Sequence, residues 1–249
     1  MGLSFDIYRF HEIDSTNDNL MKLGREGFPE GVVAVADFQT KGRGRFGRKW
    51  VSEESRNLLF SLLLRPAFLN LDEIFILTFA AAVSAADTVE EVSGLEVTLK
   101  WPNDVLVHGK KICGILLEGS FDSGLLNYVV MGIGLNVNQK RFDEALSSIA
   151  TSMAIATGSD FDRDELLFSF LARFSAVYDV VRKRDFYFVM KRWRERCKMF
   201  GKKVEVNIGN MSFEGIFEDV GDDGKLILKT SEGVRYFSAG EVKINIKED

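Results

Sequence analysis

The chain has 249 residues, two cysteines and a formal net charge of -5 at pH 7. Nucleic-acid-binding domains usually carry an excess of Lys and Arg, so the acidic balance argues against a nucleic-acid partner. Cys113 and Cys197 lie far apart without C-x-x-C spacing, and no cluster has metal-ligand spacing, so we expect a reducing cytoplasm, no disulfide framework and no metal-ligand cluster.

The first part of the chain predicts strands and two helices. Residues 5–10 alternate in polarity as a strand does, and the cap-type residues that follow begin a short helix ending at Gly24 or Gly27. A long helix is predicted over residues 71–92. Its most apolar run, residues 74–86, is too short to span a bilayer, so we expect no membrane partner. Further strands are predicted over residues 31–38, 57–66, 95–101, 104–107, 110–119 and 127–134.

The rest of the chain changes from helical to strand periodicity. Apolar side chains from Leu167 to Val181 recur at helical spacing, and a second helix is predicted over residues 186–200. Five short strands separated by turn residues follow, as in a small β-barrel, over residues 203–208, 212–220, 225–230, 234–239 and 242–246. We therefore expect an α+β fold, with a mixed β-sheet and packed helices over residues 1–200 and a small barrel domain over residues 201–249.

The helix predicted over residues 186–200 carries a run of cations at Lys191, Arg192, Arg194, Arg196 and Lys198. On a helix these side chains spread around the surface, so we interpret them as a solvated face. A docking surface for an acidic carrier is the alternative interpretation.

A second run of cations, KGRGRFGRKW at residues 41–50, contains five cations and three glycines. We call residues 41–50 the basic loop. Its glycines match the G-x-G-x-x-G motif of a dinucleotide-binding site, but no predicted helix follows them, as that motif requires. Its sequence also differs from a phosphate-binding P-loop, because Arg48-Lys49 stands where the P-loop has Lys-Ser/Thr. Guanidinium groups bind carboxylates and phosphates, and glycines let the backbone approach a ligand. We predict a clamp for an anionic ligand, mobile when empty and ordered when bound; a solvated loop or a nucleic-acid patch are the alternatives.

Several motifs, taken in order, resemble the biotin protein ligase family. They are STN at residues 15–17, QTKGRGRFGRKW at 39–50, KWPNDV at 100–105, KKICGILLEG at 110–119 and GIGLNVN at 132–138. The resemblance implies a catalytic domain that binds biotin and ATP, followed by an SH3-like barrel. Because STN already begins at Ser15, we expect the short form, without an N-terminal DNA-binding domain and without operator binding.

The resemblance implies a biotin site at the triplet, the basic loop and the strand at 110–119. The triplet would contact the ureido ring of biotin, although it would also make a good helix N-cap. Gln39 would contact the same ring; the alternative is that it only ends a strand. Gly114 would let the backbone approach the ligand; the alternative is a simple bulge. The implied biotin-binding residues are Ser15, Thr16, Asn17, Gln39, Gly42, Arg43, Gly44, Arg45, Lys111 and Gly114.

The resemblance also implies a nucleotide site and a set of catalytic residues. The nucleotide-binding residues would be Arg48, Trp50, Asn103, Gly132 and Asn136. Several of these assignments have an alternative interpretation. Trp50 would be a core tryptophan, and Asn103 would belong to an Asn-Asp turn whose side chains hydrogen-bond to their own backbone. GIGLNVN would be a strand that leaves the core through a glycine bend. The catalytic residues would be Lys111, Arg48 and Asp104, with Lys111 neutralising charge on the acyl phosphate and Asp104 positioning Mg²⁺ or the incoming amine. Lys110 is expected at the surface, and Cys113 as a buried apolar side chain.

The reaction implied by the resemblance uses biotin, ATP and Mg²⁺. Biotin is activated as biotinyl-5′-AMP and then transferred to one lysine of a biotin carboxyl carrier domain. A homodimer is a further expectation. Two other functions stay open: a lipoate ligase, which shares the acyl-adenylate logic, and a regulator that binds an adenylate or a nucleic acid without catalysis.

Overall fold

The computed structural model of the protein describes residues 2–122 and 125–244. Its helices are α1 (Thr16–Arg25), α2 (Phe75–Ser93), α3 (Glu144–Ser147), α4 (Met153–Thr157), α5 (Arg163–Arg182) and α6 (Phe186–Arg196). Its strands are β1 (Asp6–Ile13), β2 (Val32–Gln39), β3 (Leu58–Leu64), β4 (Val97–Lys100), β5 (Asp104–Val107), β6 (Lys110–Asp122), β7 (Leu125–Leu135), β8 (Lys203–Ile208), β9 (Met211–Val220), β10 (Leu226–Thr230), β11 (Gly233–Phe237) and β12 (Glu241–Ile244). Each predicted strand is present; the predicted ends match those of β5 and β8 and differ at one or both ends for the other strands, and Asn245 and Ile246, predicted in the last strand, lie outside the described residues.

Local signals explain where the two long helices differ from the prediction. Helix α2 begins at Phe75 because Leu71–Glu73 forms a separate 3-10 turn, in which the Glu73 carboxylate accepts from the backbone nitrogen of Asn70 at 2.9 Å. Helix α6 ends at Arg196 because Cys197 is extended and pairs with the end of β4. No helix in residues 2–122 and 125–244 is long and apolar enough to cross a membrane.

The large sheet has seven strands in the order β1-β2-β3-β7-β6-β5-β4. Strands β1 and β2 are parallel and are connected by α1, whereas all other neighbours are antiparallel, so the sheet is mixed as predicted. Helices α2, α5 and α6 pack over the larger core on one face. Helix α1 covers part of the other face, above a smaller core of Leu20, Val32, Ala34, Leu63, Tyr128 and Val130.

The alternation of side chains along β7 decides where open space lies on the α1 face. Tyr128 and Val130 point to this face and pack under α1. The next two residues with the same orientation are Gly132 and Gly134, which have no side chain to fill the space. Gly114 of β6 lies directly opposite Gly134 and extends the bare area. This bare part of the sheet is the floor of the cavity described below.

The C-terminal strands form a five-stranded antiparallel sheet in the order β11-β10-β9-β8-β12. In the described part of the chain no pairing joins β11 to β12, so the sheet is open and a closed SH3-like barrel stays a prediction. The two sheets are connected by Trp101, whose indole Nε1 donates to the Gly224 carbonyl at 3.0 Å.

Three cations of α6 that were predicted to be solvated are instead ion-paired within the fold. Arg192 and Arg196 bind Asp87 of α2 at 2.7 and 2.9 Å. Arg194 binds Asp219 of the C-terminal sheet at 3.2 Å. The solvated-face prediction was wrong for these residues because their carboxylate partners come from segments remote in sequence.

Candidate active site

A cavity of about 480 Å³ opens above the bare part of the large sheet. Its walls come from the start of α1, the basic loop, the β4–β5 turn, residues 142–150 and strand β12. Every residue predicted for the site lines this cavity except Gly42. Gly42 is buried beside it, where an added Cβ would lie 2.7 Å from the Trp50 carbonyl oxygen. The structure therefore gathers segments that are far apart in the sequence around one volume.

The start of α1 builds one end of the cavity, which we call the polar end. Ser15 caps α1 and its hydroxyl accepts from the backbone nitrogen of Asp18 at 3.4 Å, yet Ser15, Thr16 and Asn17 also line the cavity. Gln39 ends β2, and its Oε1 accepts from the backbone nitrogen of Thr16 at 2.8 Å. Capping and cavity lining therefore occur together at this triplet.

Ser61 of β3, which sequence reasoning missed, orients two of these side chains from the buried side. Its hydroxyl is fully buried and lies 2.7 Å from Thr16 Oγ1 and 2.5 Å from Asn17 Oδ1. An amide oxygen only accepts, so Ser61 donates its proton to Asn17. The Thr16 hydroxyl lies 2.7 Å from Ser61 Oγ and 3.1 Å from Gln39 Oε1 and donates its single proton to one of them. The Thr16 oxygen and the Gln39 amide nitrogen are then left for a ligand. Ser61 is the one hydroxyl in the apolar run LLFSLLL, a signal that could have identified it.

The basic loop forms a short hairpin beside the cavity. The backbone nitrogen of Gly44 donates to the Arg48 carbonyl at 2.7 Å, and that of Trp50 donates to the Gly42 carbonyl at 3.0 Å. At its tip Phe46 adopts φ 55°, the left-handed region. The predicted change from a mobile to an ordered loop on ligand binding remains a prediction.

Two arginines connect the basic loop to the far end of the cavity. Arg45 donates to Asn103 Oδ1 at 3.2 Å and to the Gly240 carbonyl at 3.4 Å, and its burial lowers the pKa of its guanidinium. Arg48 forms an ion pair with Glu241 of β12. The C-terminal sheet therefore contributes directly to the wall of the cavity.

Arg43 connects the loop to the polar end instead. Its guanidinium lies 2.6 Å from Asp18 Oδ1 and 2.8 Å from Glu118 Oε2. Glu118, near the end of β6, was also missed from the sequence. A charged residue at the end of the apolar run ILLE is the sequence signal that could have identified Glu118.

Trp50 lies flat against the bare part of the sheet. An added Cβ would be 2.5 Å from Trp50 Cε2 at Gly134 and 2.8 Å from Trp50 Cζ3 at Gly114. The Lys111 ammonium lies 5.6 Å from the centroid of the ring. Trp50 both anchors the base of the loop and lines the cavity, so the two interpretations of this residue are compatible.

The end of the cavity opposite the polar end is cationic. Lys111 Nζ lies 2.5 Å from Asp104 Oδ1. Burial lowers the pKa of the Lys100 ammonium, an effect that the neighbouring Asp104 opposes and Lys111 reinforces. The chain is acidic overall, but the cations that line the cavity outnumber the carboxylates, and this local excess of positive charge attracts anions. The ionisable side chains that line the cavity are the cations Arg43, Arg45, Arg48, Lys49, Lys100, Lys111 and Lys243 and the carboxylates Asp104 and Glu241.

Two neighbours of Lys111 lie outside the cavity, as expected. Lys110 points away and donates to the Ser147 carbonyl at 2.8 Å. Cys113 is fully buried, and burial raises the pKa of its thiol to about 12. Cys113 is therefore a packed apolar side chain and offers no thiolate.

Two asparagines occupy different positions in the wall. Asn103 Nδ2 donates to the Ile115 carbonyl at 2.6 Å, so β6 holds this side chain rather than its own turn. Asn136 is buried and donates to the Thr151 carbonyl at 3.0 Å. Four buried side-chain atoms of the described residues have no hydrogen-bond partner, and two of them, Asn136 Oδ1 and Trp50 Nε1, belong to side chains that line this cavity. One is an acceptor and the other a donor, so each can pair with a polar ligand.

Lys100, Glu241 and Lys243 were given no role from the sequence. Lys100 belongs to the quoted KWPNDV motif, but the motif alone does not say which way its side chain points. The other two lie on β12, whose position beside the basic loop depends on how the two sheets pack. No local signal in the sequence indicates that contact.

Comparison with known proteins shows which family the chain resembles. The profile of the Biotin/lipoate A/B protein ligase family matches residues 10–136, and that of the Biotin protein ligase C terminal domain matches residues 199–244. The chain is 34% identical over 238 residues to the bifunctional ligase/repressor BirA of Bacillus subtilis, covering 94% of this chain and 73% of that protein. It is 34% identical over 237 residues to the biotin--[acetyl-CoA-carboxylase] ligase of Paracoccus denitrificans, covering 92% and 96% of the two chains.

A solved structure is similar over nearly the whole chain. The biotin protein ligase from Aquifex aeolicus in complex with biotin and ATP superposes with a TM-score of 0.83 at 32% identity, covering 96% of this chain and 98% of that chain. The protein therefore belongs to the biotin/lipoate A/B protein ligase family, and within it to the biotin protein ligases.

Proposed function

We propose that the protein is an ATP-dependent ligase that activates biotin as biotinyl-5′-AMP and transfers it to a specific lysine of a biotin carboxyl carrier domain. One observation carries the proposal: a single cavity joins the polar end to the cationic end. Biotin has a neutral polar ring at one end and a carboxylate at the other. The nucleotide phosphates would meet that carboxylate where the cations gather.

The hydrogen-bond pattern at the polar end fits the ureido ring. Thr16 Oγ1 has a lone pair left after donating its single proton to Ser61 or to Gln39 Oε1, so it can accept from a ureido N–H. Gln39 accepts through its Oε1, so its amide nitrogen can donate to the ureido carbonyl. The Ser15 hydroxyl accepts from the backbone of α1 and can donate its own proton to the same carbonyl.

The same pattern argues against lipoate. The dithiolane ring of lipoate has no N–H and no carbonyl, so it would leave these buried polar groups without partners. A site built to hydrogen-bond its substrate rejects an analogue that lacks those groups by factors of about 10⁴–10⁵. The polar end therefore favours biotin over lipoate.

In the first half-reaction a biotin carboxylate oxygen attacks the α-phosphorus of ATP, and the bond from phosphorus to pyrophosphate breaks. We assign Lys111 and Arg48 to the negative charge that develops there. Each is paired with one carboxylate, Asp104 and Glu241 respectively, and can exchange it for a phosphate oxygen. Trp50, Asn103, Gly132 and Asn136 line the space that we assign to the nucleotide.

In the second half-reaction the acceptor lysine amine attacks the acyl carbon of the anhydride. The bond between that carbon and the phosphate oxygen breaks, AMP leaves, and the nitrogen loses a proton. We assign Asp104, which lies beside Lys111, to orient the amine or take this proton. The basic loop would exclude the water that otherwise hydrolyses the anhydride.

The cavity fits a magnesium ion that arrives with ATP. No group of three or more His, Cys, Asp or Glu side chains in the described residues could hold a metal by itself. Mg²⁺ is usually held by one or two carboxylates together with substrate phosphates. Asp104 would be such a carboxylate, and the ion would supply charge neutralisation on the phosphates.

Further expectations belong to the same proposal. The acceptor is the carrier domain of a carboxylase, by analogy with the name of the Paracoccus relative. The chain divides near Gly201, where α6 has ended and β8 is about to begin, and the second part forms a small SH3-like barrel. Strand β1, at the edge of the large sheet, offers a surface for a homodimer. The protein works in the cytoplasm and does not bind operator DNA.

Two assays test the proposal. Exchange of labelled pyrophosphate into ATP should require biotin, because the first half-reaction is reversible. Labelled biotin, but not labelled lipoate, should appear on a purified carrier domain. Exchange that requires lipoate would make the protein a lipoate ligase, and binding of adenylate without any exchange would make it a non-catalytic regulator.

A further inference from the structure

Glu118 connects three structural elements at the polar end, although neither half-reaction needs a carboxylate there. It lies on β6 opposite Val130 of β7, on the α1 face of the sheet. Its Oε2 accepts from Asn17 Nδ2 at 2.7 Å and from an Arg43 nitrogen at 2.8 Å. One carboxylate oxygen thus joins β6, the start of α1 and the basic loop.

Arg43 is the anchor for the first half of the basic loop. Its guanidinium is held between Glu118 on β6 and Asp18 on α1, at 2.8 and 2.6 Å. Arg45 and Arg48 fasten the second half to the far wall of the cavity. Like charges within the loop repel one another, so the loop needs carboxylates outside it to stay closed.

Glu118 also determines the orientation of Asn17. The two ends of this amide are held by different partners, because Nδ2 donates to Glu118 and Oδ1 accepts from Ser61 at 2.5 Å. The amide packs directly on β7, where a Cβ added at Gly132 would lie 2.2 Å from its oxygen. The amide therefore has a single orientation as long as residue 118 supplies its acceptor.

We propose that Glu118 is a positioning residue that holds the basic loop closed over the polar end through Arg43 and orients Asn17 at the same time. Glu118 lies outside the cavity lining, so it acts through these two residues rather than on the ligand. The identity of the ligand rests on the proposed function, whereas the contact between Glu118 and the loop does not. Loss of the carboxylate should speed the escape of biotin and biotinyl-5′-AMP more than it slows the chemistry.

The first test needs no ligand. Trypsin cleaves after Lys and Arg, so cleavage within residues 41–50, identified by mass spectrometry, measures how often the loop opens. Glu118→Gln keeps an acceptor for Asn17 and removes one of the two carboxylate charges that hold Arg43, leaving that of Asp18. We expect cleavage about tenfold faster, equivalent to about 1.4 kcal/mol, within the range of hydrogen bonds to charged groups. The matched control is Glu91→Gln, which breaks another Arg–Glu pair, with Arg173 on α5, away from the cavity, and should leave the rate unchanged.

The second test follows the bound intermediate. Labelled biotinyl-5′-AMP is formed on the protein and chased with unlabelled biotin and ATP. Glu118→Gln should release the label about tenfold faster and raise KM for biotin, with kcat of pyrophosphate exchange within about threefold of the wild type. In an Arg43→Ala background the same substitution should add little, because residues that act through one contact are not additive.

The outcomes separate this inference from the proposed function. If wild-type protein forms no biotinyl-5′-AMP, the proposed function fails, and the trypsin comparison still decides the role of Glu118. Unchanged cleavage of the loop in Glu118→Gln overturns the inference, and so does an equal effect of this substitution with and without Arg43. If Glu118→Gln does not fold, Arg43→Ala tests the same contact from the loop and should speed cleavage at the remaining sites; unchanged cleavage there also overturns it.

Discussion

The substitution Gly134→Ala tests whether the bare part of the sheet positions Trp50. The new Cβ would lie 2.5 Å from Trp50 Cε2 and 2.7 Å from Cζ2, whereas ordinary contact begins at 3.4 Å. The indole ring must therefore move by about 1 Å, and overpacking of this size costs about 1–3 kcal/mol. For a chain of this length each kcal/mol lowers Tm by about 2–4 °C, so a fall of roughly 4–8 °C is expected for the middle of that range.

The same movement should weaken nucleotide binding more than biotin binding. The backbone nitrogen of Trp50 donates to the Gly42 carbonyl, so a displaced ring moves the base of the basic loop with it. We expect KM for ATP in biotin-dependent pyrophosphate exchange to rise about tenfold, a loss of about 1.4 kcal/mol, and KM for biotin to change less. Gly119→Ala is the control, because it adds a methyl group to the neighbouring strand, 2.9 Å from the exposed ring of Phe121 and away from the cavity.

A second substitution tests whether the methyl group acts through the indole ring. Trp50→Ala removes all three ring atoms that the new methyl group would meet. In the double variant the cost of Gly134→Ala should largely disappear, so that its Tm matches that of Trp50→Ala alone. If Gly134→Ala behaves as wild type, or if the two losses simply add, the methyl group does not act through the indole ring.

Three other predictions concern single side chains. Lys111→Ala should lower biotin-dependent pyrophosphate exchange at least about a hundredfold, because it removes a group that stabilises negative charge. Its Tm should change little, because the ion pair between Lys111 and Asp104 is partly exposed. Normal turnover of this variant would contradict the catalytic role of Lys111. Cys113 and Cys197 should not react with iodoacetamide at pH 8 until the protein unfolds, because burial raises the pKa of each thiol to about 12 and keeps it protonated. Mass spectrometry of the folded protein would reveal any labelling. Glu241→Gln should lower KM for ATP about two- to fivefold, because the ion pair with Glu241, worth at most about 1 kcal/mol, no longer competes with the nucleotide for Arg48. A rise in KM would mean that Glu241 helps to hold the nucleotide.

Local sequence signals predicted most of the elements. Ser15 and Gly94 mark the ends of helices through groups on the same segment, so no distant partner is needed to recognise them. The order of the motifs along the chain indicated the family, and the resemblance to that family indicated the site residues that the structure places around the cavity. Signals of this kind fail where a competing local structure forms, as at the 3-10 turn before α2.

The sequence by itself determined the order of strands and helices, the positions of the glycines in β6 and β7, and the density of charge in the basic loop. Only the tertiary structure decided what these residues face. Gly114 and Gly134 become one bare surface because β6 and β7 pair in a particular register. Ser61 and Glu118 reach the polar end because α1 crosses over the sheet. A hydrogen bond or ion pair needs two groups within about 3–4 Å of each other, and only folding brings residues remote in sequence to that distance.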